Sequence, residues 1–176
     1  EGGLTKQTSL ELIDVLRTRL KVVEALEEIE VALKKFPDSE EFYFEKGKTE
    51  MVLNQYDSAR ESFEKAREKN KNYVPALLSL AQLSKLQEDW EQSEKLYQKV
   101  PKSSSYYSQA LQGLGDLSVA QFDLDQAQRY YALAIREDPQ NIEAYQGAVE
   151  LLIRDEEDKK AIALVESGLS QTPGSP

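Results

Sequence analysis

Residues 108–141 read SQALQGLGDLSVAQFDLDQAQRYYALAIREDPQN, and this stretch decides the fold. Leu111, Leu114 and Gly115 mark its first part. Ala127, Tyr131 and Ala134 mark its second at i, i+4, i+7, one stripe of a helix, and Pro139 follows. The same residue types recur at intervals of 34 in both directions. Laid in registers beginning at Lys6, Glu40, Val74, Ser108 and Ile142, position 20 reads Ala25, Ala59, Ser93, Ala127, Ala161. Position 24 reads Ile29, Phe63, Tyr97, Tyr131, Val165, and position 27 reads Ala32, Ala66, Val100, Ala134, Gly168. Position 8 carries Gly47, Ala81 and Gly115, and position 32 carries Pro37, Pro139 and Pro173. A fixed period of this size marks stacked supersecondary units. Function is then placed on surfaces rather than in a catalytic cleft.

Each register reads as two short antiparallel helices. In the second, Phe42, Tyr43, Lys46, Gly47 and Thr49 fall on a first helix, Asn54 to Asp57 form a break, and Ala59, Phe63 and Ala66 stripe the second. Roughly 13 residues per helix give about 20 Å of rod. Small residues at positions 8, 20 and 27 let the helices approach, and the large residue at position 24 fills the gap. One hairpin cannot bury its stripe alone, so hairpins stack. Proline at position 32 ends the second helix by removing an N–H and clashing with the preceding turn. Thr8 with Glu11 and Asp38 with Glu41 have capping-box spacing. Pro101 comes four positions early in its register, before Lys102 and Ser103 to Ser105, so that second helix should end short. The first register's turn, Thr18 to Lys21, has no breaker; a hairpin is expected there, with one helix over 9–36 as the alternative.

These residues resemble the tetratricopeptide repeat family, over residues 6–175, with Leu111, Leu114, Gly115, Ala127, Tyr131, Ala134 and Pro139 meeting its pattern best. The resemblance implies an all-α, right-handed α-solenoid of stacked helix hairpins. Residues 1–5 form a tail, and a single array follows with repeats at 6–39, 40–73, 74–107, 108–141 and 142–175. It also implies a non-enzymatic scaffold whose first helices line a concave face that takes a peptide or helical segment. Chaperone-binding members hold a C-terminal carboxylate with spaced Lys, Asn and Arg. No placement here supplies those cations (Phe44, Lys48, Ser79, Gln109 and Gly113 is one set), so chaperone tails are not expected.

The chain has no cysteine and no histidine. Disulfides, thiolate chemistry, zinc fingers and imidazole catalysis are excluded, and no glycine-rich phosphate loop is present. No cofactor and no metal is implied, and the composition leaves the compartment open. No apolar run approaches the roughly 18 residues of a membrane span, so direct membrane insertion is not expected. The chain opens Glu1-Gly2-Gly3 without methionine, as a processed or excised piece would. Its net charge of −10 is uneven: the first three registers carry 17 basic against 19 acidic residues, the last two 5 against 12. A phosphate-tracking basic stripe is missing, which argues against nucleic acid. The acidic C-terminal repeats would suit a basic segment of a partner, although the charge also serves solubility.

On the concave face the expected partner-binding residues are Phe44, Lys48 and Met51; Leu78, Gln82 and Lys85; Gln112, Asp116 and Val119; Gln146 and Glu150. Amides that can donate and accept to a backbone alternate with apolar anchors, as polypeptide recognition requires. Each alone is equally an ordinary solvated position. Tyr106, Tyr107 and Tyr130 are expected to pack at the junction of the third and fourth registers rather than form an aromatic platform. Asp155 to Asp158 reads as a solvated turn, because consecutive carboxylates without spaced oxygen ligands do not build a calcium loop. Ile162 and Leu169, seven apart on the final helix, form an edge through which copies could self-associate. Self-assembly through terminal repeats is thus the alternative function.

Overall fold

Five turns set the frame. The structure, a computed structural model, describes residues 5–171. Among these, Leu20, Asn54, Glu88, Phe122 and Glu156 have φ between 57° and 62°, each at position 15 of its register. The following residue donates back across the turn each time: Lys21 N–H to Leu16 O, Gln55 to Glu50, Asp89 to Ser84, Asp123 to Ser118 and Glu157 to Leu152, all at 2.9 Å. A second bond nests inside, from Leu20 to Arg17 and from Phe122 to Val119 at 3.0 Å. This double closure is the Schellman arrangement, which satisfies the orphan carbonyls of a helix end. It usually employs glycine; here leucine, asparagine, glutamate and phenylalanine occupy the left-handed position, at about 1–2 kcal/mol each for residues with a Cβ.

The turns separate helices at the expected period. α1 spans Lys6–Thr18 and α2 Val22–Lys35, followed by α3 Glu40–Val52, α4 Tyr56–Lys69 and α5 Val74–Leu86. Then come α6 Trp90–Gln98, α7 Tyr107–Ala120, α8 Leu124–Glu137, α9 Ile142–Arg154 and α10 Asp158–Gln171. No strand occurs among the described residues. Register one is a hairpin, not one helix over 9–36. Pro37 and Pro139 lie just beyond the caps of α2 and α8, while Pro173 lies outside the described residues. α6 has 9 residues where α4 and α8 have 14. Pro101 stops it, and the chain turns through Ser104 N–H to Pro101 O at 2.9 Å and Tyr107 N–H to Ser104 O at 3.0 Å.

Two capping expectations are corrected. Thr5, not Thr8, caps α1, accepting from Thr8 N–H at 3.2 Å. Ser39, not Asp38, precedes α3; its hydroxyl donates to Glu41 at 2.7 Å, and Asp38 instead pairs with Lys69 at 2.7 Å. α1 thus starts before the expected cap and α3 just after it. Each segment holds two residues of cap-forming type, and packing chooses between them. Asp89, Asp123 and Asn141 cap α6, α8 and α9 with side-chain acceptors.

The chain divides into two compact units between Leu83 and Ser84, inside α5. In unit 1, α1 packs on α2, α3 on α4, α2 on α3, and α1 lies beside α3. Its core joins Ile13, Ile29, Ala32 and Phe42, with Phe36 stacked on Phe42 at 5.8 Å. Phe63 fills the space above Gly47, where a Cβ would sit 2.5 Å from the ring. In unit 2, α6 meets α7, α7 packs on α8, α8 on α9, α9 on α10, and α7 lies beside α9. Ala127, Tyr131, Ala148 and Leu151 form one core cluster, and Leu111, Ala134 and Ala144 another. Tyr131 is seated against Gly115 and Gly147, whose missing side chains make room for its ring. Tyr107 and Tyr130 pack on the second cluster, as structural aromatics.

Candidate functional site

The first helices of each unit carry the expected binding residues, and none of these is buried. On unit 1, Phe44 departs from the expectation of a free anchor. Its ring lies 5.7 Å from core Phe63 and 5.5 Å from Tyr73, edge-on to the latter, so it helps hold α3 against α4. Lys48 covers the outer face of Phe44 with its ammonium 5.3 Å from the ring centroid, a cation–π contact. The same ammonium donates to Glu45 at 3.1 Å. Glu45 also pairs with Arg17, and Arg17 reaches Asp14 at 2.6 Å. Arg17 and Glu45 are only 12% and 14% exposed, so the pair is well screened from water and holds α1 against α3. Met51 and Leu78 are half-buried, and Gln82 is exposed.

On unit 2, three expected residues meet directly. Gln112 Nε2 donates to Asp116 Oδ2 at 2.6 Å, and Lys85 Nζ lies 3.5 Å from the same oxygen. The core residue Tyr131 joins them from beneath, its hydroxyl donating to Asp116 Oδ1 at 2.7 Å. Burial pushes the Tyr131 hydroxyl far above the usual phenol range, aided by its bond to Asp116 and by the negative charges of Asp116 and Glu150. Burial raises the Tyr97 hydroxyl too, with the charge of Asp116 adding to it. Both phenols therefore stay protonated, and Asp116 is the anionic hub. Val119 is half-buried against the first core cluster. Gln146 and Glu150 are exposed on α9.

Sequence reasoning missed Arg17, Glu45 and the bond that the core residue Tyr131 makes to Asp116. The signal was available only in part: Arg17 and Lys85 share position 12, but one pairs with position 6 of the next register and the other with position 9. It also missed Glu50, which is 6% exposed and accepts from Ser62 at 2.6 Å, with Lys46 3.8 Å away.

Asp155 to Glu157 form the α9–α10 turn, and Glu157 pairs with Lys160 at 2.5 Å. No group of three or more His, Cys, Asp or Glu among the described residues is placed to hold a metal ion. No described helix is long and apolar enough to cross a membrane. At the C-terminal end of unit 2, Val149, Ile153, Ala161, Ile162 and Val165 line an apolar groove of about 390 Å³, with Ile162 60% exposed. The Leu169 side chain, expected on this edge, lies outside the described residues.

A model of the tetratricopeptide repeat matches residues 53–114 and 118–176, and a second model of that repeat matches residues 10–73. No curated protein matches the chain. Among solved structures, PilF of Pseudomonas aeruginosa is similar with a TM-score of 0.78 and 16% identity, over 96% of this chain and 77% of that one. PilW, described as a widely conserved type IV pilus biogenesis factor, has a TM-score of 0.78 and 17% identity over 99% and 81%. YrrB, described as a TPR protein with an unusual peptide-binding site, has a TM-score of 0.60 and 19% identity over 94% and 86%. These likenesses establish the fold, an all-α solenoid of helix hairpins. With the repeat models covering most of its length, the chain belongs to the tetratricopeptide repeat family.

Proposed function

We propose that the protein is a non-enzymatic scaffold that takes a polypeptide segment of another protein on its first-helix faces. One observation carries this reading. On each unit the first helices carry both charges held in place by internal bonds, Arg17–Glu45–Lys48 and Lys85–Asp116–Gln112, and side chains that are not buried: Met51, Leu78 and Gln82 on unit 1 and Gln146 on unit 2. Prearranged charges cost little further ordering when a ligand arrives, and the open amides can bond a peptide backbone. The peptide-binding site described for YrrB is consistent with this use of the fold. Acidic repeats in the C-terminal half favour a basic segment there and disfavour nucleic acid. Without histidine or cysteine, and with Asp116 committed to three donors, the faces offer recognition rather than bond-making groups.

Peptides selected from a random display library against the purified chain provide the test. Met51→Ala with Gln82→Ala should weaken face-bound peptides by about tenfold, the loss typical of a central anchor. Phe44→Ala is unsuitable because it disturbs Phe63. Glu64→Ala and Gln128→Ala, on exposed positions of second helices, should do little. Selected peptides that ignore the first-helix changes and are lost with the second-helix changes would overturn the reading.

A second reading is self-assembly, supported by the apolar groove of α9 and α10. Within unit 2, α9 covers α8 with Ala148 and Leu151 at positions 7 and 10. α1 carries Leu12 and Val15 at those positions, and Val15 is 44% exposed. The α1 of a second copy is therefore the fitting occupant. Light scattering should then show size rising with concentration, and Ile162→Glu should abolish the rise; a monomer at all concentrations removes this reading.

A further inference from the structure

We propose that Tyr97, Asp116 and Glu150 form a receptor on unit 2 for one arginine side chain of the bound polypeptide, with Lys85 as the cation it displaces. The inference rests on the reading that first-helix faces bind polypeptide. It begins with Tyr97, which is 5% exposed. Its hydroxyl lies against α7, where a Cβ at Gly113 would stand 2.8 Å from Oη, and the charge of Asp116 acts on it. Yet Asp116 takes its hydrogen bonds from Tyr131, Gln112 and Lys85, not from Tyr97. The hydroxyl of a buried side chain thus stands near an anion without joining its bonds, and its oxygen can accept from an incoming N–H.

Two carboxylates stand at equivalent positions of neighbouring helices. Asp116 and Glu150 both occupy position 9, on the neighbouring helices α7 and α9. Their charges act together on the Tyr131 hydroxyl. Among the described residues, the cation bonded to Asp116 is Lys85, at 3.5 Å, beyond the roughly 2.7–2.9 Å of a strong charge-assisted bond. It is a loose hold on a half-buried anion. A guanidinium brings five donors in a planar fork and is less strongly hydrated than an ammonium, so it can bond more than one acceptor, where lysine offers a point charge.

The test uses the whole chain, labelled with ¹⁵N, and the capped pentapeptide Leu-Ala-Arg-Ala-Leu beside its counterpart with glutamine in place of arginine. The arginine peptide should shift the Gln112 side-chain amide and the Gly113 and Gly147 backbone amides. It should bind about tenfold more tightly than the glutamine peptide, the worth of a bond to a charged group. Glu150→Gln, on an exposed side chain, should remove much of that preference. Lys85→Met should strengthen arginine binding by about threefold, the scale of a weak ion pair removed from competition; a merely structural role for Lys85 predicts no gain. Equal binding of both peptides at α7 and α9 overturns the arginine receptor while leaving polypeptide recognition standing. Shifts confined to α8 and α10 overturn both. Absence of shifts with the arginine peptide, or weakening by Lys85→Met, also overturns the receptor.

Discussion

Phe63 and Gly47 show how one residue's size is set by another's. Phe63 is 1% exposed and fills the volume that the missing Cβ of Gly47 leaves. Phe63→Ala should lower stability by about 3–5 kcal/mol through the cavity it leaves. Gly47→Ala should cost about 1–3 kcal/mol by overpacking, because the new methyl meets a ring already enclosed. Chemical denaturation reads both; unchanged midpoints would show that the pair is not in contact in solution. The opposite sign is expected in the turns. Phe122 is 80% exposed at φ 62°, so Phe122→Gly gives up little burial and relieves about 1 kcal/mol of left-handed strain. Ser84 is fully buried with no hydrogen-bond partner for its hydroxyl. Ser84→Ala should stabilise by about 1 kcal/mol, and a loss in either variant contradicts the account. The large-and-small pairs were legible because packing at close helix contacts fixes residue size by column. Ion pairs were not, because long side chains of Arg17 and Lys85 reach different columns from the same starting position.

At the scale of elements, period and proline placed most of the helices, and the turns were legible only in part. α6 ends at Gln98 because Pro101 follows, and the interval to Tyr107 is held by isolated turn bonds. Residues 99–106 should be the first internal segment to exchange amide hydrogens or to be cut by protease. Protection there equal to that of α7 would contradict this. The hairpin in register one was less legible. Nothing in Thr18 to Lys21 breaks a helix by local propensity; tertiary packing of Ile13 on Ile29 and Phe42 imposes the reversal, and Leu20 accepts the strain. The residues expected on the first helices were legible as a set of positions, but their contacts were not. Phe44 turned out to lean on Phe63, and Asp116 to be anchored by Tyr131, because side-chain direction on a face depends on neighbours that no column records.

For the whole molecule, contact in each unit is local along the chain. α1 meets α2 and α3, α3 meets α4, α7 meets α8 and α9, and α9 meets α10. Stability in such an arrangement is close to a sum of repeat terms and nearest-neighbour terms. A cavity in one repeat then lowers the protection of that repeat and its neighbours, and the effect fades along the array. Phe63→Ala should reduce the exchange free energy of α3 and α4 amides by about 3 kcal/mol or more. The same substitution should move α8 and α9 by less than about 0.5 kcal/mol, as independent sites do. Tyr131→Ala should show the reverse pattern, because its ring serves Gly115, Gly147 and the Ala127 cluster. Native-state hydrogen exchange at low denaturant measures both variants in one experiment. If each substitution lowers protection equally in α3–α4 and α8–α9, the chain unfolds as one cooperative body, and local contact does not set its energetics.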